Sequence, residues 1–228
     1  MASKNESSAS APSRFLLQEK AYNELKERLL REELEGETFL SERQIAADLG
    51  MSKTPVKAAF VRLQHEGFVK ISPQQGVVVR NLSHEEIADH LETRLALETY
   101  AARKIAGNLT DEQWKQLQDN LRDHAASAAD NDVRRSVWLD SQFHILLVSF
   151  LGNREMEKIM EQTRDKMFRI MGRILFRNRT RVEKTLTEHA SIADALREGR
   201  SQLAAELMMQ HIERGREFLT SGAGQEDQ

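Results

Sequence analysis

The sequence predicts a mostly α-helical protein in two parts. The first is a winged helix-turn-helix of three helices and a β-hairpin wing; the second is an all-α bundle of about six helices. Three observations lead there. Helix-forming residues dominate, and three Pro and 11 Gly in 228 residues leave little room for long loops. Between Phe39 and Arg80, two short helical patterns joined by a Gly turn precede two short β-branched runs. Beyond Ser83, apolar residues recur at helical spacing in six successive stretches joined by short connections.

Residues 1–13 are rich in Ser and Ala, have no apolar periodicity and read as a disordered tail. A first helix is expected from about Leu16 to Glu33, with Leu17, Ala21, Leu25 and Leu29 on one face. Ser41 to Leu49 reads as a short helix with Ile45, Ala46 and Leu49 inward. Gly50 suits the left-handed position that closes it. Ser52 is the expected N-cap of the next helix, and Pro55 falls in that helix's first turn, where a missing N–H costs little. Val56, Ala59, Phe60 and Leu63 form its buried stripe, and Gly67 stops it. Phe68, Val69 and Ile71, then Val77, Val78 and Val79, read as two strands around the Pro73-Gln74-Gln75-Gly76 tip. These pieces define a domain over 14–81.

Ser83-His84-Glu85-Glu86 is a capping box that opens a long helix to about Asn108. Thr110-Asp111-Glu112-Gln113 opens another to about Asp130. Four more are expected: Asp132 to Leu151, Arg154 to Arg177, Arg181 to Glu198 and Gln202 to Thr220. The helical domain therefore spans 83–220, followed by a flexible tail over 221–228.

The absence of Cys excludes disulfides and thiolate metal sites. No apolar run approaches the length of a membrane span, and a cytoplasmic protein is expected. A net charge of −3 excludes a wholesale polyanion binder, so any nucleic-acid contact is local. One such place exists. Between Arg43 and Arg80 the cations are Arg43, Lys53, Lys57, Arg62, Lys70 and Arg80, against only Asp48 and Glu66. Off the buried stripe, the start of the second helix of the pair carries Ser52, Lys53, Thr54 and Lys57. A recognition helix contacts the major groove through its N-terminal residues, and hydroxyls and cations suit phosphate oxygens. Arg43 on the preceding helix reaches toward the same surface. Gln75 and Gly76 at the wing tip are small and polar enough for a minor groove. These seven residues are the expected DNA contacts.

The run LSERQIAADLGMSKTPVKAAFVRLQHEGFV resembles the N-terminal domain of the GntR family of bacterial transcription regulators. The resemblance rests on the leader Ser-Glu-Arg, the Gly turn, the hydroxyl-basic-Thr-Pro-Val-basic run and the Glu-Gly before the wing. It departs at Lys53 and Lys57, where the family commonly has Arg; charge is kept, while the planar fork for bidentate base readout is absent.

In the helical part, Asp140 and His144 share one face of a helix with Val137, Leu147, Val148 and Leu151. His189 and His211 interrupt apolar stripes of later helices in the same way. A buried Asp is costly unless paired or bound to metal. One carboxylate and three imidazoles suit Zn²⁺, Ni²⁺, Mn²⁺ or Fe²⁺. Spacing alone equally admits hydrogen-bonded core histidines, and His124 follows Trp114, Leu117 and Leu121 with no partner in view. His65, His84 and His90 read as surface residues. Arg94 and Glu98, four apart, read either as an intrahelical ion pair or as an Arg facing a cavity to bind an effector's carboxylate.

The region from about Ser83 to Thr220 resembles the FCD effector domain of the FadR subfamily of GntR regulators, in its metal-binding form. Asp140 with His144, then Glu188-His189, then His211 carry that resemblance. It implies Asp140, His144, His189 and His211 as ligands of a divalent metal, and Arg94 as an effector contact. The expected protein is a homodimeric, effector-responsive regulator that binds an inverted-repeat operator and a small organic acid, and has no catalytic residues. Two alternatives remain: a metal-dependent enzyme with an appended DNA-binding domain, and a constitutive DNA-binding protein with a structural metal.

Overall fold

The computed structural model describes residues 14–31, 33–34, 36–72, 76–175 and 179–222. The chain divides into two compact units, Met1–Asn81 and Leu82–Gln228. The expected tail over 1–13 lies outside the described residues, as do 223–228 of the expected C-terminal tail.

The first unit contains α1 (Arg14–Leu30), β1 (Phe39–Leu40), α2 (Glu42–Asp48), α3 (Lys53–His65), β2 (Val69–Ser72) and β3 (Gly76–Val79). Its core joins one face of each element: Ala21, Tyr22, Leu25 and Leu29 of α1, Ile45 and Ala46 of α2, and Val56, Ala59, Phe60 and Leu63 of α3. Gly50 takes φ +61 at the α2–α3 turn, a conformation that costs a glycine little. Ser52 occupies the N-cap position of α3 in an extended conformation, but its side chain makes no capping bond. The sheet has the antiparallel order β1-β3-β2, so it holds one strand more than the expected hairpin. Phe39 and Leu40 pair with Val78 and Val77. Two residues are too short for alternation to announce a strand, and only the long-range pairing with β3 makes them one.

The second unit holds six helices among the described residues: α4 (His84–Ile105), α5 (Asp111–Ala129), α6 (Val133–Ser149), α7 (Arg154–Leu175), α8 (Arg179–Arg197) and α9 (Ser201–Gly222). Both capping boxes form. Ser83 Oγ accepts from Glu86 N at 3.1 Å while Glu86 Oε2 accepts from Ser83 N at 3.0 Å. Thr110 and Gln113 repeat the arrangement. The α9 helix runs to Gly222, past the expected end at Thr220. The helix α4 packs mainly on α9, α6 on α7, and α5 on α6 and α8. At the ends of α4 and α8, Gly107 (φ +74) and Gly199 (φ +70) meet backbone to backbone.

Candidate functional site

Three helices of the second unit bring four side chains to one point. Asp140 and His144 lie one turn apart on α6, His189 comes from α8 and His211 from α9. One ligand atom from each lies within 4.8 Å of the other three. All four residues are at most 2% exposed. His211 Nε2 is 3.2 Å from His144 Nε2 and 3.4 Å from His189 Nε2. Asp140 Oδ1 is 3.5 Å from His189 Nε2, and Asp140 Oδ2 is 3.9 Å from His144 Nε2.

Carboxylates behind the cluster decide what those short nitrogen contacts mean. His144 Nδ1 donates to Glu98 Oε2 at 2.6 Å, and His211 Nδ1 donates to Glu188 Oε2 at 2.6 Å. Burial pushes Glu98 up, but Arg94 and then His144 outweigh it and hold the carboxyl far below the usual range. Burial also pushes Glu188 up, and its bonds to His211 and Arg181 hold it at about 2. Both glutamates are therefore anionic acceptors, and each histidine carries its proton on Nδ1. Burial pushes His211 down, against the pull of Glu188, and pushes His189 well down, with help from the neighbouring imidazoles.

With that proton on Nδ1, the Nε2 atoms of His144 and His211 are left as acceptors that face each other at 3.2 Å. The two oxygens of Asp140 have no hydrogen-bond partner among the described residues. An arrangement of lone pairs and an anion with no donor suits a cation. Ligand atoms about 2.1 Å from one ion lie about 3 to 3.4 Å apart, close to the shorter spacings here. The donor set thus fits a divalent ion of the borderline class.

Arg94, the expected effector contact, is 2% exposed and forms the intrahelical ion pair with Glu98. Its Nε donates to Glu98 Oε1 at 2.7 Å, so it stands behind His144 through Glu98. Arg181 holds Glu188 bidentately at 2.8 and 2.9 Å, and Arg214 adds a contact at 3.2 Å. A cleft of about 570 Å³ opens beside Glu188, lined in part by Arg181, Lys184 and Arg214. Phe143 stacks on the His189 ring at 3.8 Å, nearly parallel.

Sequence reasoning missed three features. The supporting roles of Glu98 and Glu188 join residues 46 and 23 positions apart, which helical spacing does not connect. For Glu188 a signal existed: its neighbour His189 is a candidate ligand, and adjacent helical residues face different partners. His90 is not a surface residue. It is 4% exposed, on the same α4 face as Arg94, one turn away, and burial followed by Arg94 pushes it down to about 3. His65 and His84 are exposed, as expected.

In the first unit, Arg43 on α2 and Ser52, Lys53, Thr54 and Lys57 at the start of α3 are all exposed. Gly76 is exposed at the start of β3, and Gln75 lies outside the described residues.

Comparison with known proteins agrees with both units. Residues 17–79 match the model for bacterial regulatory proteins of the gntR family. Residues 89–214, more than half of the chain, match the FCD domain. The HTH-type transcriptional repressor RspR of Escherichia coli is 27% identical over 176 residues, 77% of each chain. The Nta operon transcriptional regulator of Aminobacter aminovorans is 27% identical over 175 residues, 77% of this chain and 81% of its own. Among solved structures, a GntR regulator from Rhodococcus superposes with a TM-score of 0.77 at 21% identity, covering 90% of this chain and 98% of that one. The Escherichia coli protein McbR/YncC gives 0.73 at 20% identity, covering 91% and 98%. These two show the fold. Among the described residues no helix is long and apolar enough to cross a membrane. The chain belongs to the gntR family of bacterial regulatory proteins, as a DNA-binding transcriptional regulator with a helical FCD domain.

Proposed function

We propose that the helical domain, over 83–220, holds one divalent ion through Asp140, His144, His189 and His211, and that a small organic acid binding there changes the protein's affinity for DNA. The carrying observation is the buried cluster itself: three inward Nε2 atoms and an Asp without a donor, within 4.8 Å of one another. When bound, the ion supplies a Lewis-acidic position for a carboxylate. Glu98 and Glu188 hold two imidazoles in the tautomer that turns Nε2 inward. Arg94 spends two N–H groups on Glu98, and its others supply a contact for the acid's second polar end. The cleft lined by Arg181, Lys184 and Arg214, with Glu188 and Glu217, is the anion's approach. In the domain over 14–81, Lys53, Lys57 and Arg43 neutralise phosphates, Ser52 and Thr54 position the helix, and Gln75 and Gly76 enter the minor groove. Two copies read an inverted repeat.

Elemental analysis of gently purified wild type beside His189→Ala and His211→Ala tests the reading, followed by titration of DNA binding with small hydroxy and sugar acids. The expected result is about one ion per wild-type chain, lost in both variants, with an acid shifting DNA affinity only in wild type. A wild type that holds no ion and cannot be reloaded rules the metal out. Variants that keep the ion and still respond make these histidines core residues.

A further inference from the structure

His144 and His211 each lean on a carboxylate, whereas His189 does not: its Nδ1 is buried and has no partner among the described residues. A histidine that ligates a metal through Nε2 must carry its proton on Nδ1, and such a donor nearly always has an acceptor. An unused group beside it is His124 on α5. Its ring centre lies 5.9 Å from that of His189, tilted by 58°. His124 is fully buried, and neither of its nitrogens has a partner among the described residues. One turn earlier on α5, Asn120 donates from Nδ2 to Leu139 O at 2.9 Å, and its Oδ1 is left without a partner among the described residues. One turn before His189 on α8, the fully buried Thr185 Oγ1 is also without one.

Leaving buried polar atoms unmade costs about 1–3 kcal/mol each, so a concentration of five beside one ligand asks for a common explanation. Donors and acceptors balance in a single arrangement. His189 Nδ1 offers a proton. Neutral His124 accepts at one nitrogen and donates from the other. Asn120 Oδ1 accepts at the end. A ring separation of 5.9 Å is wide for a direct bond and suits one ordered water, with His189, His124 and Thr185 as its three partners.

We propose that Asn120, His124 and Thr185 form a neutral relay, closed by buried water, that positions His189 as a metal ligand. The inference rests on the metal site proposed above. It makes His189 unlike its two companions: a neutral acceptor raises imidazole basicity less than a carboxylate does, so His189 is the most weakly held of the three imidazoles. His124 is a positioning residue that sets the site's affinity without touching the ion.

The test is chelator competition for Zn²⁺ and the visible absorption of the Co²⁺-loaded full-length protein, for wild type, His124→Phe, His124→Gln and Asn120→Leu. His124→Phe keeps an aromatic ring and deletes the relay. It is expected to weaken metal binding about tenfold, within the range for lost outer partners, and to shift the Co²⁺ bands although all four ligands remain. His124→Phe leaves Asn120 Oδ1 without its donor, so metal-free thermal stability should fall modestly, and the loss of metal affinity is expected to exceed that fall. His124→Gln, which keeps one acceptor and one donor, should restore most of the affinity. Asn120→Leu should weaken it in the same direction and carries the test where His124→Phe fails to fold. Unchanged affinity and spectrum in His124→Phe and Asn120→Leu overturn the relay and leave the metal site standing. Equal losses in Phe and Gln variants that track metal-free stability also overturn it, making His124 a packing residue. A wild type that binds neither ion overturns the relay together with the metal site.

Discussion

His90, His124, His189 and His211 are all held below the ordinary histidine value, with burial the largest cause in each case. The sign of the consequence follows from proton counting. An unfolded chain takes up a proton at each histidine as pH falls through about 6.5, whereas the folded one does not. In the metal-free protein, stability of the helical domain is therefore full above that pH and declines below it. The declines owed to the depressed Glu98 and Glu188 begin only below the ordinary carboxylate value of 4.5, so between 6.5 and 4.5 the histidines act without them. His90 isolates one proton, because it lies outside the ligand set and its two ring nitrogens lack partners among the described residues. His90→Leu is expected to flatten the slope of metal-free stability between pH 6 and 5 by about 1.4 kcal/mol per pH unit. Urea unfolding followed by tryptophan emission measures this domain alone, since Trp114 and Trp138 both belong to it. An unchanged slope would mean that His90 titrates normally. His90 also marks a limit of reading by residue: its place one turn from Arg94 was visible, but whether that stripe faced inward depended on the helices that pack against α4.

Among the elements, α4 and α8 are tied at their C-terminal ends. Gly107 N donates to Leu196 O at 2.8 Å, and a Cβ on Gly107 would lie 3.1 Å from Gly199 Cα. Both glycines are left-handed, so the contact needs two residues without side chains in a conformation that other residues rarely adopt. Upstream of this clamp, α4 carries Arg94 and Glu98 while α8 carries Glu188 and His189, so the clamp bears on a candidate ligand and on both carboxylates behind the cluster. Gly107→Ala is expected to lower thermal stability by about 1–3 kcal/mol, from left-handed strain plus the close backbone. Metal affinity should fall with it, because α8 must shift away. Gly152→Ala is the control: Gly152 is also left-handed (φ +65), but a Cβ there meets nothing within 4 Å. It should cost only the strain and leave the metal untouched. Element existence was legible in the sequence because helix starts were written in local chemistry: Ser83-to-Glu86 and Thr110-to-Gln113 both form as capping boxes. The inter-helix clamp was not, since the first long helix was expected to run through Gly107 to about Asn108 and the meeting with Gly199 is a tertiary contact.

At the scale of the whole molecule, the two units were separable in the sequence because each has its own chemistry: a locally basic surface around α3, and an apolar bundle interrupted by Asp and His. The four candidate ligands stood out as polar residues on apolar stripes, but spacing admitted His124 as well, and the resemblance to the FCD domain selected the set. Their partners were not, because Glu98 to His144 and Glu188 to His211 are tertiary contacts. The remaining question at this scale is how many copies read DNA. One short recognition helix reads few base pairs, and twofold symmetry doubles the site. Lys53 and Lys57 are exposed in the first turns of α3, where each can neutralise one phosphate. Each lost phosphate contact lowers the slope of log affinity against log salt by about 0.9. If two protomers bind one inverted repeat, a single Lys53→Ala substitution removes two contacts, and the slope should fall by about 1.8. On a half-site the same variant should lose about half of that. Fluorescence anisotropy over a salt series on both DNAs, with sedimentation equilibrium of free and bound protein, measures slope and stoichiometry together. A monomer on both DNAs would refute the symmetric reading, and an unaltered slope for both Lys53→Ala and Lys57→Ala would move the phosphate contacts away from α3.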